Sequence, residues 1–199
     1  MPALRELCEL RALREQWSIP LKLVILDRDG VINIDSDRFI KSPDEWRPIP
    51  GALEAIARLN GAGFHVAVAT NQSGIERGLL DMNALNAIHA KMLKAAQQVS
   101  AHIDAIYYCP HSTDTDCRCR KPLPGMFIDI GKRLNVALAG VPCIGDGLRD
   151  LQAAAAAGGR PFLVLSGKGA ATLAAGNLPE GTQVFNDLSA AVDTILSAT

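Results

Sequence analysis

Two kinds of segment alternate along this chain. Short apolar runs, closed by glycine, proline or charged residues, are followed by longer stretches in which apolar residues recur every three or four positions. The run at 21–26 carries Val24 and Ile25 and ends in charge and Gly30, which predicts a buried parallel strand. Pro50-Gly51 then opens a helical pattern through Ala52, Leu53, Ile56 and Leu59, closed by Gly61 and Gly63. Further strands are predicted at 64–69, 103–108, 141–144 and 161–165, with a short sixth at 184–185. Helices are predicted at 82–99, where Leu85, Ile88, Met92 and Leu93 share a face, and at 124–134, 148–157 and 188–196. Strands that alternate with helices predict an α/β fold, Rossmann-like, with a parallel sheet covered by helices on both faces. One domain over 21–199 accommodates all of it. Before it, Leu4, Leu7, Leu10, Leu13 and Trp17 keep helical spacing, so 1–20 reads as a helical N-terminal extension.

Composition narrows the class. The chain has 199 residues, 48% of them hydrophobic and 21% charged, the profile of a globular protein with a core of its own. A formal net charge of −1 gives no bulk attraction to nucleic acid or an anionic membrane. Apolar runs are too short to span a bilayer. Arg5, Glu6, Glu9, Arg11, Arg14 and Glu15 interrupt the apolar run that a secretory signal requires. A cytoplasmic, monomeric protein is the expectation, and in the cytoplasm disulfides are rare. Cys8 and Cys143 then read as isolated thiols.

In parallel sheets ligands collect beyond the carboxyl ends of the strands, so candidate chemistry is sought there. Asp27 and Asp29 follow the first strand. Alone, Asp-x-Asp-Gly is a turn. Two close carboxylates also suit a hard divalent cation, and one of them can then attack phosphorus while the other moves protons. Thr70-Asn71-Gln72-Ser73 follows the second strand, where a hydroxyl and free N–H groups can hold phosphoryl oxygens; by itself it is an N-cap and turn. Asp146, in Gly145-Asp146-Gly147, supplies a third carboxylate or a helix cap. Asp150 reads as a surface or supporting group. Lys121, after Arg120, is either a phosphate-neutralising cation or a solvated lysine.

Cys109, His111, Cys117 and Cys119 make C-x-H-x5-C-x-C, a closed tetrahedral donor set for structural zinc. The polar loop between them has no core of its own, so a metal would supply the ordering energy. Four protein ligands leave no open position for catalysis. The alternative is a set of free surface thiols. A zinc clip here would also fix the loop that presents Arg120 and Lys121.

Asp27-Arg28-Asp29-Gly30-Val31, Thr70-Asn71-Gln72-Ser73, Lys121-Pro122 and Gly145-Asp146, in that order, resemble the haloacid dehalogenase superfamily of phosphohydrolases. The resemblance runs from Lys22 to the C-terminus. It implies an aspartyl-phosphate mechanism with Asp27 as nucleophile, Asp29 as general acid/base, and Thr70 and Lys121 as phosphoryl stabilisers. Magnesium would be held by Asp27, the backbone carbonyl of Asp29, and Asp146. The zinc loop, with Asp27-Arg28-Asp29-Gly30-Val31-Ile32-Asn33 and Cys119-Arg120-Lys121-Pro122, is similar to the branch that contains heptose bisphosphate phosphatases and histidinol phosphatases. That branch implies a small phosphorylated sugar as substrate, histidinol phosphate being the alternative. Carried over by position, Asp35, Ser36, Asp37, Arg38, Asn71, Gln72, Ser73 and Arg120 would contact it. Two departures stand out: Gly147 where some members have Lys, and a short spacing from His111 to Cys117. About twenty residues separate Asp29 from the helix at Ala52, so the cap is minimal. The zinc loop and the 35–41 segment are expected to wall the cleft. A non-catalytic zinc-bearing binding module is the alternative of another class, and the Asp27/Asp29 pair argues against it.

Overall fold

The structure, a computed structural model, describes residues 21–198. The helix expected within 1–20 lies outside the described residues. Six strands form one parallel sheet: β1 (Lys22–Leu26), β2 (Phe64–Asn71), β3 (Ala105–Cys109), β4 (Pro142–Gly145), β5 (Arg160–Val164) and β6 (Gln183–Phe185), in the order β3-β2-β1-β4-β5-β6. This is the doubly wound order, which reverses between β1 and β4 and opens a crevice there.

The apolar runs become strands because both faces of the sheet are covered. Val24 and Leu26 point into one core, with Val66, Val68 and Trp46, and Leu23 and Ile25 into the other, with Ala67, Ala69 and Cys143. This is the two-residue alternation of a strand. The first core is roofed by α1 (Ala52–Gly61), α2 (Met82–Gln98) and, further on, α6 (Leu188–Ser197); the second by α3 (Gly125–Leu134) and α4 (Leu148–Ala156). Asp81 and Asp187 cap α2 and α6 by accepting from the N–H groups of Ala84 and Ala190.

Two features depart from the expected pattern. β3 begins at Ala105 because the Asp104 carboxylate accepts from Val66 N at 2.8 Å, so a side chain takes the place of a ladder bond. A short helix, α5 (Gly169–Ala175), follows β5, and its run Gly-Ala-Ala-Thr-Leu-Ala-Ala carries almost no apolar periodicity to reveal it.

Between β1 and α1 the chain makes only single bridges at Asn33 and a 3-10 turn, Pro43–Glu45, which is the minimal cap expected. Trp46 is buried in the first core, and Lys91 of α2 donates to the carbonyls of Pro43 and Trp46. Those contacts anchor the segment beside the crevice. Among the described residues no helix is long and apolar enough to cross a membrane.

Candidate active site

The ends of β1, β2, β4 and β5 converge on a cavity of about 210 Å³. Asp27, Asp29, Asp35, Ser36, Asp37, Thr70, Asn71, Gln72, Ser73, Arg120 and Asp146 all line it, so most of the residues singled out from sequence meet in one place. Arg38 does not line it. Its side chain is exposed, its N–H donates to Ser36 Oγ, and its carbonyl accepts from Lys41 Nζ at 3.1 Å.

Asp27 is buried on the cavity floor. Its Oδ1 accepts from Arg28 N at 2.7 Å and lies 2.9 Å from Lys121 Nζ. Burial pushes its pKa up to about 6, against the pull of Lys121. Lys121 itself is buried beneath the cavity rather than in it. Its ammonium meets Asp27 Oδ1, Asp150 Oδ1 at 2.6 Å and the Ala69 carbonyl at 2.7 Å. Burial alone would depress that lysine, yet the two carboxylates outweigh it and raise its pKa.

Asp150 is therefore buried and is no surface group. Its Oδ2 accepts from Gly147 N at 2.9 Å, so it closes the first turn of α4 from the third helical position while gripping Lys121. The four-residue step from Asp146 was the signal that could have found it.

Asp29 faces the cavity inside a clamp. Arg28 donates to both of its oxygens through Nε and Nη2, Asn33 Nδ2 donates to Oδ1, and Gln72 Nε2 donates to Oδ2. Burial would raise this carboxyl, but Arg28, Asn33 and Gln72 hold it below the usual range. Arg28 is fully buried and rests its other nitrogen against His89 Nε2 at 3.3 Å. Burial, then Arg28, pushes the pKa of His89 down to about 4, so the ring is a neutral acceptor. Gln72 Nε2 also donates to Thr70 Oγ1, tying the hydroxyl at the end of β2 to the same network.

Asp27, Asp146 and Asp150 place carboxylate oxygens within 4.8 Å of one another. An all-oxygen, acidic donor set fits a hard divalent cation. Burial, then the Asp27 charge, lifts the Asp146 pKa to about 7, the mark of carboxylates that lack a compensating charge between them. Both Asp150 oxygens already have partners, which leaves Asp27 and Asp146 as the side chains for direct ligation. Two glycines shape this cluster. A Cβ on Gly30 would sit 2.0 Å from Asp146 Oδ2, and one on Gly167 would sit 2.2 Å from it.

The second donor set is equally compact. Cys109 Sγ lies 3.8 Å from Cys117 Sγ, 3.2 Å from Cys119 Sγ and 3.6 Å from His111 Nδ1, and His111 Nδ1 lies 3.3 Å from Cys119 Sγ. Tetrahedral zinc with bonds of about 2.3 Å to sulfur and about 2.0 Å to nitrogen gives edges of roughly 3.5–3.8 Å; the Cys109–Cys117 and Cys109–His111 separations match this, and the two to Cys119 are slightly shorter. All three sulfurs are thiols rather than disulfide partners. The His111 carbonyl accepts from Arg120 Nη1 at 3.0 Å, so the four-donor loop directly aims an arginine that lines the cavity.

Sequence reasoning missed Arg149 and Lys168, which also line the cavity. Lys168 sits in the loop after β5, a strand end to which the same rule applies.

A model of the haloacid dehalogenase-like hydrolase family matches residues 4–158. The chain belongs to this family. Among its relatives in the family is the D-glycero-beta-D-manno-heptose-1,7-bisphosphate 7-phosphatase of Bordetella bronchiseptica, 60% identical over 176 residues, spanning 88% of this chain and 98% of that protein. The protein of the same name from Pseudomonas aeruginosa is 52% identical over 174 residues, spanning 87% of this chain and 97% of that one. A crystal structure of the B. bronchiseptica D,D-heptose 1,7-bisphosphate phosphatase, complexed with magnesium and phosphate, superposes with a TM-score of 0.89 at 59% identity, covering 90% of this chain and all of that one. The fold of this hydrolase is thus the family's Rossmann-like parallel sheet.

Proposed function

We propose that this chain is a magnesium-dependent phosphatase that removes the 7-phosphate of D-glycero-D-manno-heptose 1,7-bisphosphate through an aspartyl-phosphate. The observation that carries the reading is the placement of Asp27: a buried carboxylate at a cavity floor, with Oδ1 held by Lys121 and Arg28 and with Asp146 beside it. The substrate rests on the 60% identity to a relative of that name over nearly its whole length.

Asp27, Asp146 and the backbone carbonyl of Asp29 are the groups that would hold magnesium, which when bound offsets the repulsion between a carboxylate nucleophile and an anionic phosphoryl group. Asp27 attacks phosphorus with one oxygen while Lys121 and Arg28 N hold the other, which fixes the line of attack. Thr70 and the 70–73 loop receive phosphoryl oxygens at the end of β2. Lys121 reaches the phosphoryl group through Asp27, whose charge and orientation it sets.

Asp29 protonates the departing sugar oxygen and then takes a proton from the water that cleaves the acyl phosphate. Its clamp favours the ionised form, which suits the second half of the cycle. A phosphate dianion bound beside it adds like charge and raises its pKa, which supplies the acid form for the first half.

Cys109, His111, Cys117 and Cys119 hold a structural zinc in this reading. The 35–41 segment walls the cavity through Asp35, Ser36, Asp37, Phe39 and Ile40, and the zinc loop acts on it through Arg120, which its His111 carbonyl holds.

Asp27→Asn tests the mechanism. The variant is expected to fold normally and lose turnover of heptose bisphosphate; retained turnover would remove Asp27 from the chemistry. Rates on histidinol phosphate measured in parallel decide the substrate, with heptose bisphosphate expected to be the faster. Metal analysis is expected to find about one tightly held zinc per chain.

A further inference from the structure

The loop that follows β5 binds three other parts of the site at once. Ser166 Oγ donates to the Gly30 carbonyl at 2.7 Å, and Lys168 N donates to Asp146 Oδ2 at 2.8 Å. The Lys168 ammonium then reaches across to Asp35 Oδ2 at 3.1 Å and Asp37 Oδ1 at 3.0 Å. The hydrogen bonds it donates to the Asp37 and Asp35 carboxylates raise its pKa, so it is charged.

This fork has a particular position. Asp35, Asp37 and Lys168 line the active-site cavity on one side. On the other side the same three residues line a second hollow of about 450 Å³, with Ile34, Ile49 and Pro50. The ion-pair fork is thus a partition between two spaces. The stretch carrying Asp35 and Asp37 has no helix or strand of its own to hold it. Within it, Asp35 Oδ1 accepts only from the neighbouring Ser36 N. The ties from Lys168 are the ones that pin these two carboxylates to the sheet.

The charge balance points the same way. Five carboxylates line the cavity (Asp27, Asp29, Asp35, Asp37 and Asp146) against three cations (Arg120, Arg149 and Lys168). Lys168 is one of those three, and its single charge is shared by Asp35 and Asp37, so losing it would widen the excess of carboxylates over cations.

We propose that Lys168 is a specificity-determining positioning residue: its ammonium holds Asp35 and Asp37 as the cavity's side wall, against which the hydroxyl-bearing part of a sugar phosphate rests. This rests on the reading of the cavity as a sugar-phosphate phosphatase site. With the wall pinned, carboxylate oxygens not occupied by Lys168 are presented to substrate hydroxyls as acceptors. With it released, the two hollows merge, and the carboxylates turn their unbalanced charge toward the phosphate.

The test compares Lys168→Met and Lys168→Arg with the unaltered magnesium-loaded enzyme. Neither change removes the backbone N–H that contacts Asp146. For heptose bisphosphate, Lys168→Met is expected to raise KM about five-fold, more than it lowers kcat, the pattern of a lost binding interaction from a partly exposed ion-pair network. For p-nitrophenyl phosphate, which has no hydroxyl chain, kcat/KM is expected to change less, so discrimination between the two falls. Lys168→Arg is expected to restore it. Amide hydrogen exchange over 35–39 is expected to quicken in Lys168→Met and in high salt. Unchanged discrimination and unchanged exchange would overturn the proposal. If the unaltered enzyme turns over neither ester, the phosphatase reading fails, while the exchange measurement still decides whether Lys168 pins the wall.

Discussion

The ammonium of Lys121 stands 2.9 Å from Oδ1 of Asp27, and both side chains are buried. Asp150 holds the same ammonium from the other side at 2.6 Å. A lysine two positions after the last cysteine of the four-donor loop thus becomes the fixed counter-charge of the carboxylate proposed as nucleophile. Such a group cannot be removed quietly. Breaking a buried ion pair by deleting one partner leaves uncompensated charge and costs roughly 3–5 kcal/mol. Lys121→Met is therefore expected to lose turnover and to unfold at a much lower urea concentration at pH 7. The deficit is expected to shrink toward pH 5, where Asp27, whose pKa is raised to about 6, is neutralised by a proton. Urea midpoints at the two pH values check it, and an equal deficit at both would show that charge is not the cause.

The carboxylates of the cation cluster make a second prediction. Asp27 is raised from 3.8 to about 6 and Asp146 from 3.8 to about 7. A carboxyl whose pKa is higher in the folded than in the unfolded state binds more protons when folded. Stability then falls as pH rises between the two values. The metal-free protein is expected to lose stability from about pH 4 to about pH 7, and magnesium is expected to restore it at the upper end, because the ion binds only the folded cluster. Melting temperatures with magnesium and with chelator, taken across that range, should diverge as pH rises.

Much of this was legible beforehand, and the reason is local. Strand ends in a parallel sheet carry residues whose identity answers to a ligand, so Asp27, Asp29, Thr70, Asn71 and Asp146 stood out against an apolar background. The four-donor loop was legible because cysteine and histidine at that spacing have few other uses. What stayed hidden depended on direction. Nothing in Arg120-Lys121 says that one side chain opens into the cavity while the next is buried under it, held by Asp27, Asp150 and the Ala69 carbonyl. Nor does Asp37-Arg38 reveal which of the two lines the cavity. Lys168 was hidden because its partners, Asp35 and Asp37, lie more than 130 positions away in sequence.

A brace between two loops yields a third prediction. Glu76, in the turn after β2, accepts from Ser112 N and, at 2.6 Å, from Thr115 Oγ1. These hydrogen bonds bring its pKa down to about 2, although the side chain is exposed. Ser112 and Thr115 lie between His111 and Cys117, so Glu76 ties the four-donor loop to the turn after β2. Glu76→Ala is expected to release zinc faster to a chelator, and with the Arg120 mount loosened, to raise KM more than it lowers kcat. Zinc release followed by a chromogenic chelator checks the first part. A rate equal to that of the unaltered protein would mean the brace carries no strain from the loop.

Two glycines with nearly the same backbone separate strain from collision. Gly30 has φ +82° and Gly63 has φ +81°, a left-handed conformation that costs an alanine about 1–2 kcal/mol. Nothing lies within 4 Å of a Cβ built on Gly63. On Gly30 the same atom would meet Asp146 Oδ2 at 2.0 Å and Cγ at 2.5 Å. Gly63→Ala is therefore expected to lower stability by about 1–2 kcal/mol and to leave magnesium affinity alone. Gly30→Ala carries the same backbone cost and must also push the Asp146 carboxylate out of the cluster it shares with Asp27, so its affinity for magnesium is expected to fall at least tenfold, about 1.4 kcal/mol. Calorimetric titration of magnesium into both variants decides between them. Equal affinities would mean that Asp146 can retreat without cost, and that its position beside Asp27 is not what holds the ion.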